Sequence, residues 1–457
     1  MKILLVMPGR GQIVFRGTKN SRSLLPPGPL SEVAGMTSPE HEVQIWDELA
    51  QGQIDVKTLS WPDIVGISGL STSHFGAFRV AKLARELGKP VVAGGMHVTG
   101  LYFEGNGEEL LAHYDAIVVG RLTRRLWAEV IEDLSRGNSQ RVYQADDDDP
   151  WEFVVPPHNL IDPKHYYFPA LRSSAGCPYG CDFCTVNLVC SKLQVKPYDI
   201  LKRELELLPE LEILRGVRMP FVDCADSFGV DYRHTLEVVL PLYSASGRRW
   251  FTEITIRNLM GIGNNRKSLV GPMADAGCRY VYIGIESIHQ RVGAKSPERK
   301  IVEQAIKDTH KAGLIVMGSL ILDITGDETK ESIKETVKWV IDQGLDLVQY
   351  SLVAALPGSA LRRRMLKEGR IIISNCELLC GAWPTVEHPI LSPEQRIELL
   401  RYAYYRTYSV SGIAKRILGH TNRPLNLFAN NVIRGMAHRW WGKVGYEHWL
   451  ATRNLDG

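Results

Sequence analysis

Ala-Gly-Cys-Pro-Tyr-Gly-Cys-Asp-Phe-Cys-Thr-Val, residues 175–186, decides how the rest of this chain is read. Cys177, Cys181 and Cys184 stand in a C-x3-C-x2-C pattern, with the aromatic Phe183 just before the last thiol. Three thiolates this close do not sit easily in one rigid helix or strand. They suit a loop that wraps a compact metal centre. Thiolate is a soft ligand that selects iron–sulfur clusters or zinc. A zinc site wants a fourth Cys or His at short spacing. Three thiolates suit a 4Fe–4S cube in which one iron keeps an open position. A zinc loop, or three unrelated core thiols, is the alternative that these residues alone leave standing.

The surrounding composition is that of an ordinary globular protein. Of 457 residues, 44% are apolar and 23% charged, enough for two or three domains. No run approaches the roughly 18 apolar residues of a membrane span. The opening Met1-Lys-Ile-Leu-Leu-Val-Met-Pro-Gly is too short for a signal peptide and reads as a first strand. A net charge of +3 gives no case for nucleic acid or membrane binding. Eight cysteines in a chain this size do not form a secreted disulfide framework, so reduced thiols and a cytoplasmic location are expected.

Residues 1–145 alternate short Val/Ile-rich runs with helical patterns. The runs at 2–8, 64–69, 91–95 and 116–120 end at Gly or Pro, and a further run lies at 43–46. Between the runs at 64–69 and 91–95, Val80, Leu83, Ala84 and Leu87 mark one helix face. This alternation predicts a parallel, doubly wound sheet, which binds ligands beyond the carboxyl ends of its strands. Two of those ends are unusual: the hydroxyl-rich Ser68-Gly-Leu-Ser-Thr-Ser-His74 and the glycine pair of Ala93-Gly-Gly-Met-His-Val-Thr99. His74 and His97 are expected to be wall residues there.

The acidic run at 146–150 and the following prolines predict a linker through residue 167. A second alternation then begins, with strands expected at 168–174, 217–223, 250–256, 280–286, 315–322 and 347–356. Six strand–helix units predict a partial (β/α)6 barrel over 168–360, with its site at the carboxyl ends of the strands. Residues 361–457 read as mainly helical. Ser392-Pro-Glu-Gln caps one helix, whose face continues through Ile397, Leu400 and Tyr404. Aromatic and basic residues (Arg439, Trp440, Trp441, Trp449) suit helices that cover the barrel. Cys376 and Cys380 are too few for a second cluster, and Cys190, Cys224 and Cys278 read as core thiols.

The cysteine motif resembles the signature of the radical S-adenosylmethionine (SAM) enzymes. That resemblance implies a 4Fe–4S cluster on Cys177, Cys181 and Cys184, whose open iron chelates SAM, and cleavage of SAM to a 5′-deoxyadenosyl radical. It also implies SAM contacts at Phe183 and at the strand ends. Asp223 and Asp226 are candidates for the methionyl ammonium. Glu286 and Ser287, in the family-like Gly284-Ile-Glu-Ser287, suit the ribose or the amine. Arg257 suits a carboxylate, and the Leu356, Pro357, Gly358 turn suits the adenine. Asp323 and Thr325 depart from the small residues usual in relatives.

The first region is similar to the cobalamin domains that precede such barrels. This implies cobalamin contacts at Ser68, Gly69, Leu70, Ser71, Thr72, Ser73, Gly94, Gly95, His97, Val98 and Gly120. The Asp-x-His-x-x-Gly motif that supplies a cobalt-ligating His is absent, which implies a cobalt without a protein His beneath it. Gly120-Arg-Leu-Thr replaces the usual Gly-Glu-Gly-Glu.

Together the resemblances imply a cobalamin-dependent radical SAM methyltransferase. It would methylate an unactivated carbon, or phosphorus, of a small natural-product or lipid intermediate. An external flavodoxin- or ferredoxin-type electron donor follows from the same likeness. Oxidative cyclisation or ring rearrangement with the same cofactors is the rival, and a non-catalytic corrinoid carrier or sensor a more distant one. Methylthio transfer is disfavoured because no Cys precedes Cys177.

Overall fold

The structure, a computed structural model, describes residues 1–9, 22–145, 151–214, 216–263, 266–293, 297–417 and 423–440. The acidic run at 146–150 and the tail residues Trp441 and Trp449 lie outside the described residues. The chain folds into two compact units. One comprises Met1–Pro178, Cys184–Cys224 and Leu356–Ser359; the other comprises Tyr179–Phe183, Ala225–Ala355 and Ala360–Gly457.

In the first unit six strands form one parallel sheet in the order β2-β1-β3-β4-β5-β6. They are β1 (Lys2–Met7), β2 (Glu42–Asp47), β3 (Ile64–Ser68), β4 (Val91–Gly94), β5 (Ala116–Val119) and β6 (Val142–Gln144). The first five are the expected strands. β6 has three residues, too short a run to carry an alternating pattern. The order reverses between β1 and β3, which opens a crevice beyond their carboxyl ends.

Helices on the connections bury the expected faces. His74–Glu86 buries Val80 and Ala84 completely. Arg124–Arg136 starts where the Thr123 side chain accepts from Leu126 N and stops at Gly137, whose φ of +70° favours glycine. It buries Leu126, Trp127, Val130, Ile131 and Leu134, each such side chain stabilising the unit by ~1.5–3 kcal/mol.

The first unit also holds β7 (Ala170–Leu171) and two short antiparallel ribbons. These are β8 (Ser174–Ala175) with β9 (Gln194–Val195), and β10 (Glu212–Leu214) with β11 (Val217–Arg218). β12 (Phe221–Phe228) starts in this unit, where Val222 and Asp223 pair in parallel with Ala170 and Leu171.

The second unit continues the parallel order through β13 (Trp250–Thr255), β14 (Cys278–Glu286), β15 (Ile315–Ile321) and β16 (Leu347–Ser351). The strand expected at 217–223 is displaced. Pro220 cannot donate to a ladder, so Val217–Arg218 is left in a ribbon and the barrel strand runs from Phe221 to Phe228. The strands expected at 168–174 and 347–356 are shorter than their apolar runs.

Beyond β16 the helix Pro393–Thr407 starts with a Ser392/Gln395 capping box, as expected. It lies along the open edge strand. Tyr404 Oη donates to Tyr350 O at 2.9 Å and accepts from Tyr350 N at 3.1 Å. One turn on, Tyr408 Oη makes the same pair with Val348, at 2.7 and 2.8 Å. Two phenols thus stand in for a neighbouring strand and satisfy backbone groups that a sheet edge leaves open. Among the described residues no helix is long and apolar enough to cross a membrane.

Candidate functional site

The cysteine loop leaves β8 at Gly176, whose φ is +84°. A Cβ there would meet Lys192 O at 2.4 Å and Cys190 Sγ at 2.9 Å, so only glycine fits. Cys190 Sγ donates to Lys192 O at 3.1 Å and is a packing thiol, as expected. All eight cysteines are free thiols, with Cys177 and Cys181 half-buried and Cys184 exposed.

Behind the loop, Ser173 N donates to Asp223 Oδ1 at 3.0 Å and Lys196 N to Ser173 O at 2.8 Å. Asp223 is therefore the third residue of β12, fully buried, and anchors the strand that leads into the loop. Asp226 is six residues into the same strand, and the strand ends only at Phe228. The fully buried pair of Lys196 and Glu204 lies nearby, where burial raises the Glu204 carboxyl to about 7.

Residues 179–183 of the loop are fixed within the second unit at three points. The Tyr179 hydroxyl donates to Asn258 Oδ1. Asn258, buried in the short helix after β13, donates in turn to Phe228 O at 2.9 Å and Ser227 Oγ at 3.2 Å. Leu361 N donates to Asp182 O at 2.7 Å, and Arg364 pairs with Asp182 at 2.8 Å. Phe183 packs against a cluster of Val353, Ala355, Leu361, Met365 and Val386, with Ile321 and Ile324. The aromatic of the motif thus sits at the carboxyl ends of β15 and β16. Tyr179 and Asn258 escaped the sequence analysis, because nothing local links a loop phenol to an amide 79 residues on.

Glu286 closes β14 with a φ of +63°, which costs a side-chain-bearing residue about 1–2 kcal/mol. Backbone strain at a strand end of a barrel is the kind that functional sites hold. Ser287 Oγ accepts from His289 N at 3.2 Å and so orders the turn that follows. Arg257 is half-buried in the short helix after β13. Asp323 and Thr325 hold the C-terminal region. Arg396 donates to Asp323 Oδ2 at 2.9 Å and to Val386 O at 2.6 Å, while Thr325 Oγ1 donates to Glu328 Oε1 at 2.7 Å. Glu328 pairs with His388 at 3.2 Å. His388 Nδ1 accepts from Ile390 N and Leu391 N, so its proton is on Nε2, facing the carboxylate.

In the first unit the expected residues gather at the carboxyl ends of β3, β4 and β5. Gly95, at φ +96°, lets the β4 end approach β3, since a Cβ would meet Ser68 Oγ at 2.7 Å. Gly69 abuts Pro8 beyond β1, where a Cβ would lie 3.1 Å from the ring. Ser71 Oγ is 3.1 Å from His97 Nδ1, and His97 Nε2 is 2.9 Å from His74 Nδ1. The two histidines are linked to each other, and burial lowers His74 to about 4. Val98 is buried, and Gly120 N donates to Thr99 Oγ1 at 2.9 Å.

Two features of this edge suit a large ligand with many amides. Thr72 Oγ1 is buried and has no partner among the described residues, although such a hydroxyl costs ~1–3 kcal/mol when unsatisfied. Leu70, by contrast, is 54% exposed at the loop tip. Hydroxyls for amide edges, glycines for close approach and an apolar tip fit a corrin.

The same unit includes both flanks of the other site. Thr185 Oγ1, one residue past Cys184, lies 3.9 Å from Met96 Sδ. Gly358 N donates to Glu104 Oε1 at 2.7 Å, and a Cβ on Gly100 would meet Pro357 O at 2.2 Å. The Leu356, Pro357, Gly358 turn therefore packs on the helix Met96–Phe103, and the Gly358 amide is committed to Glu104.

Comparison with known proteins bears on this geometry. Residues 171–340 match the family model of the Radical SAM superfamily. The chain carries a radical SAM domain. That domain implies a 4Fe–4S cluster and SAM as cofactors of an enzyme. The chain is 26% identical over 451 residues to an uncharacterized methyltransferase of Pyrococcus horikoshii, covering 89% of this chain and 92% of that one. It is 25% identical over 427 residues to the bacteriochlorophyllide d C-8(2)-methyltransferase of Chlorobaculum tepidum, covering 87% and 89%. Among solved structures, the radical S-adenosylmethionine methyltransferase TsrM of Kitasatospora setae, with cobalamin and a [4Fe-4S] cluster bound, superposes with a TM-score of 0.64. It does so at 14% identity, over 96% of this chain and 99% of that one, a likeness of fold.

Proposed function

We propose that this chain is a cobalamin-dependent radical SAM methyltransferase acting on a small natural-product or lipid intermediate. One observation carries the reading. Within a single compact unit, the residue after the third motif thiol and the Leu356–Ser359 turn both pack on the helix that follows the Gly94, Gly95 pair. The loop of the radical SAM domain and the hydroxyl- and glycine-rich strand ends are therefore neighbours. Two reactive groups that act on one substrate need that proximity.

When bound, the cofactors supply a hydrogen-abstracting radical and a methyl group, chemistry that no side chain provides. The protein's part is positional. Cys177, Cys181 and Cys184 hold the cluster, and Phe183 borders the nucleoside of SAM. Glu286, on its strained turn, takes the ribose hydroxyls or the amine. Ser71, Thr72 and the backbone beside Gly95 offer hydrogen bonds to the edge of the corrin. His97, both of whose nitrogens are engaged, orients Ser71. The relatives that are methyltransferases, one of them acting on a bacteriochlorophyllide, support methyl transfer to a small natural product.

The test is anaerobic reconstitution with iron, sulfide and cobalamin, followed by product mass analysis. A gain of one methylene is expected. A loss of hydrogens without that gain would replace methylation by cyclisation. Changing Cys177, Cys181 and Cys184 together to Ala should abolish iron binding and SAM cleavage. Turnover that survives the triple change rejects the enzyme reading.

A further inference from the structure

The helix Met96–Phe103 of the first unit carries two residues that are unfavourable where they stand. Gly100 lies in mid-helix, where glycine is a poor helix former. Glu104 caps the carboxyl end, where the helix dipole disfavours an acid. The Leu356–Ser359 turn, in the same unit, explains both. A Cβ on Gly100 would run into Pro357 O, and one on Gly358, at φ +80°, would meet Gly100 Cα at 2.7 Å. Helix and turn therefore touch backbone to backbone. Glu104 Oε1 accepts from Gly358 N at 2.7 Å, a charge-assisted bond. Two local losses thus serve one contact.

The other end of the same helix belongs to the strand ends. Gly95 abuts Ser68 at the end of β3, and Thr99 Oγ1 accepts from Gly120 N, just beyond β5, at 2.9 Å. Leu188, in the short turn after the cysteine motif, packs beside both ends. A Cβ on Gly358 would meet Leu188 Cδ1 at 2.7 Å, and one on Gly120 would lie 3.8 Å from Leu188 O. From Met96 to Glu104 the helix runs about 12 Å, at 1.5 Å per residue. A close-packed rod of that length passes a displacement from one end to the other.

We propose that Glu104 is a positioning residue that ties the Leu356–Ser359 turn to the corrin edge, so that SAM and cobalamin strengthen each other's binding. This rests on the cobalamin-dependent radical SAM reading and deepens it. With cobalamin against Gly95 and Ser71, the amino end of the helix is fixed, and its carboxyl end holds the turn ready for the nucleoside. With SAM on the turn, the same bond holds the helix against the strand ends. Linkage makes the two factors equal. The coupling has a use. A radical formed beside an empty corrin site has no methyl group to meet, so the two sites are best filled together.

The test measures affinities on the full chain, without reductant, so that SAM is not consumed. SAM affinity is read by equilibrium dialysis on the cluster-reconstituted protein, with and without hydroxocobalamin. Cobalamin affinity is read from its absorbance change, with and without SAM. In the wild type each cofactor should raise affinity for the other roughly five- to tenfold, by the same factor in both directions. E104A should bring that factor to about one, with cobalamin affinity in the absence of SAM unchanged. E104Q keeps an acceptor oxygen for Gly358 N and should retain part of the factor. G100A, whose methyl drives the turn off the helix, should abolish the factor by an independent route. A factor of one in the wild type overturns the proposal, as does a factor undiminished in E104A. A collapse of cobalamin affinity in E104A without SAM marks a merely structural role and also overturns it. Wild type that binds no SAM overturns the radical SAM reading instead, and wild type that binds no cobalamin overturns the corrin reading. The single-cofactor affinities tell both from a loss of coupling.

Discussion

Removing the Tyr179 phenol or the Asn258 amide should loosen the cysteine loop by amounts that the geometry sets. Asn258 is buried and its side chain makes three hydrogen bonds, to Tyr179, Phe228 O and Ser227 Oγ. Tyr179→Phe deletes one of them, worth about 1 kcal/mol. Asn258→Leu deletes all three and strands the Phe228 carbonyl in an apolar environment, for a total of about 3 kcal/mol. The Tyr179→Phe change made in the Asn258→Leu background should cost nothing further, giving a coupling of about 1 kcal/mol. Because Tyr179 is on the loop that carries Cys181, the smaller loss should fall on loop opening. One kcal/mol is a factor of about five in an opening equilibrium. The assay is bleaching of the reconstituted cluster by an iron chelator under conditions where opening is fast, with urea unfolding in parallel. Tyr179→Phe should bleach about five times faster at nearly unchanged global stability. Asn258→Leu should bleach faster still and unfold earlier. Equal bleaching rates in wild type and both variants would refute the claim that this bond holds the loop.

Three further outcomes follow from the packing. Arg396→Met leaves Asp323 buried without its cation and should cost ~3–5 kcal/mol in urea unfolding, most of it recovered when Asp323→Leu is added. Tyr404→Phe with Tyr408→Phe uncovers the backbone of β16 at Tyr350 and Val348. The double variant should melt lower and self-associate in light scattering, and a monomer with an unchanged melting point would contradict the edge-sealing role. Burial, with His113 adding repulsion, lowers His74 from 6.5 to about 4, so the folded state keeps it neutral while the unfolded chain takes a proton. Its contribution is fully present above pH 6.5 and is lost as the pH falls toward 4, by up to ~3 kcal/mol. Asp47, raised by burial to about 6, and Glu204, raised to about 7, act in the opposite sense, gaining stability as the pH falls. The difference between wild type and His74→Gln isolates the histidine; parallel stability profiles from pH 7 to 4 would sink the argument.

What the chain's order of residues fixed by itself was local and periodic. The spacing of Cys177, Cys181 and Cys184, the five Val/Ile-rich strands of the first sheet and the cap at Ser392 all depend on neighbours within a few residues. Short-range sterics and hydrophobic periodicity are sufficient to read such features. Pro220 outweighs the apolar run at 217–223, so β12 begins at Phe221 and Asp223 is a buried anchor behind the loop rather than a strand end. Tertiary structure alone decided which face of a strand is open. Alternation puts Glu253 opposite Thr252 and Ile254, but only the sheet's register and the helices on one side turn that alternation into an inside and an outside. The same holds for Tyr179 with Asn258, for Asp323 with Arg396 and for the Leu356–Ser359 turn on Gly100. Each joins groups separated by dozens to hundreds of residues. Their pairing is set by close packing and by the cost of leaving a buried polar group unsatisfied, neither of which leaves a periodic trace in sequence.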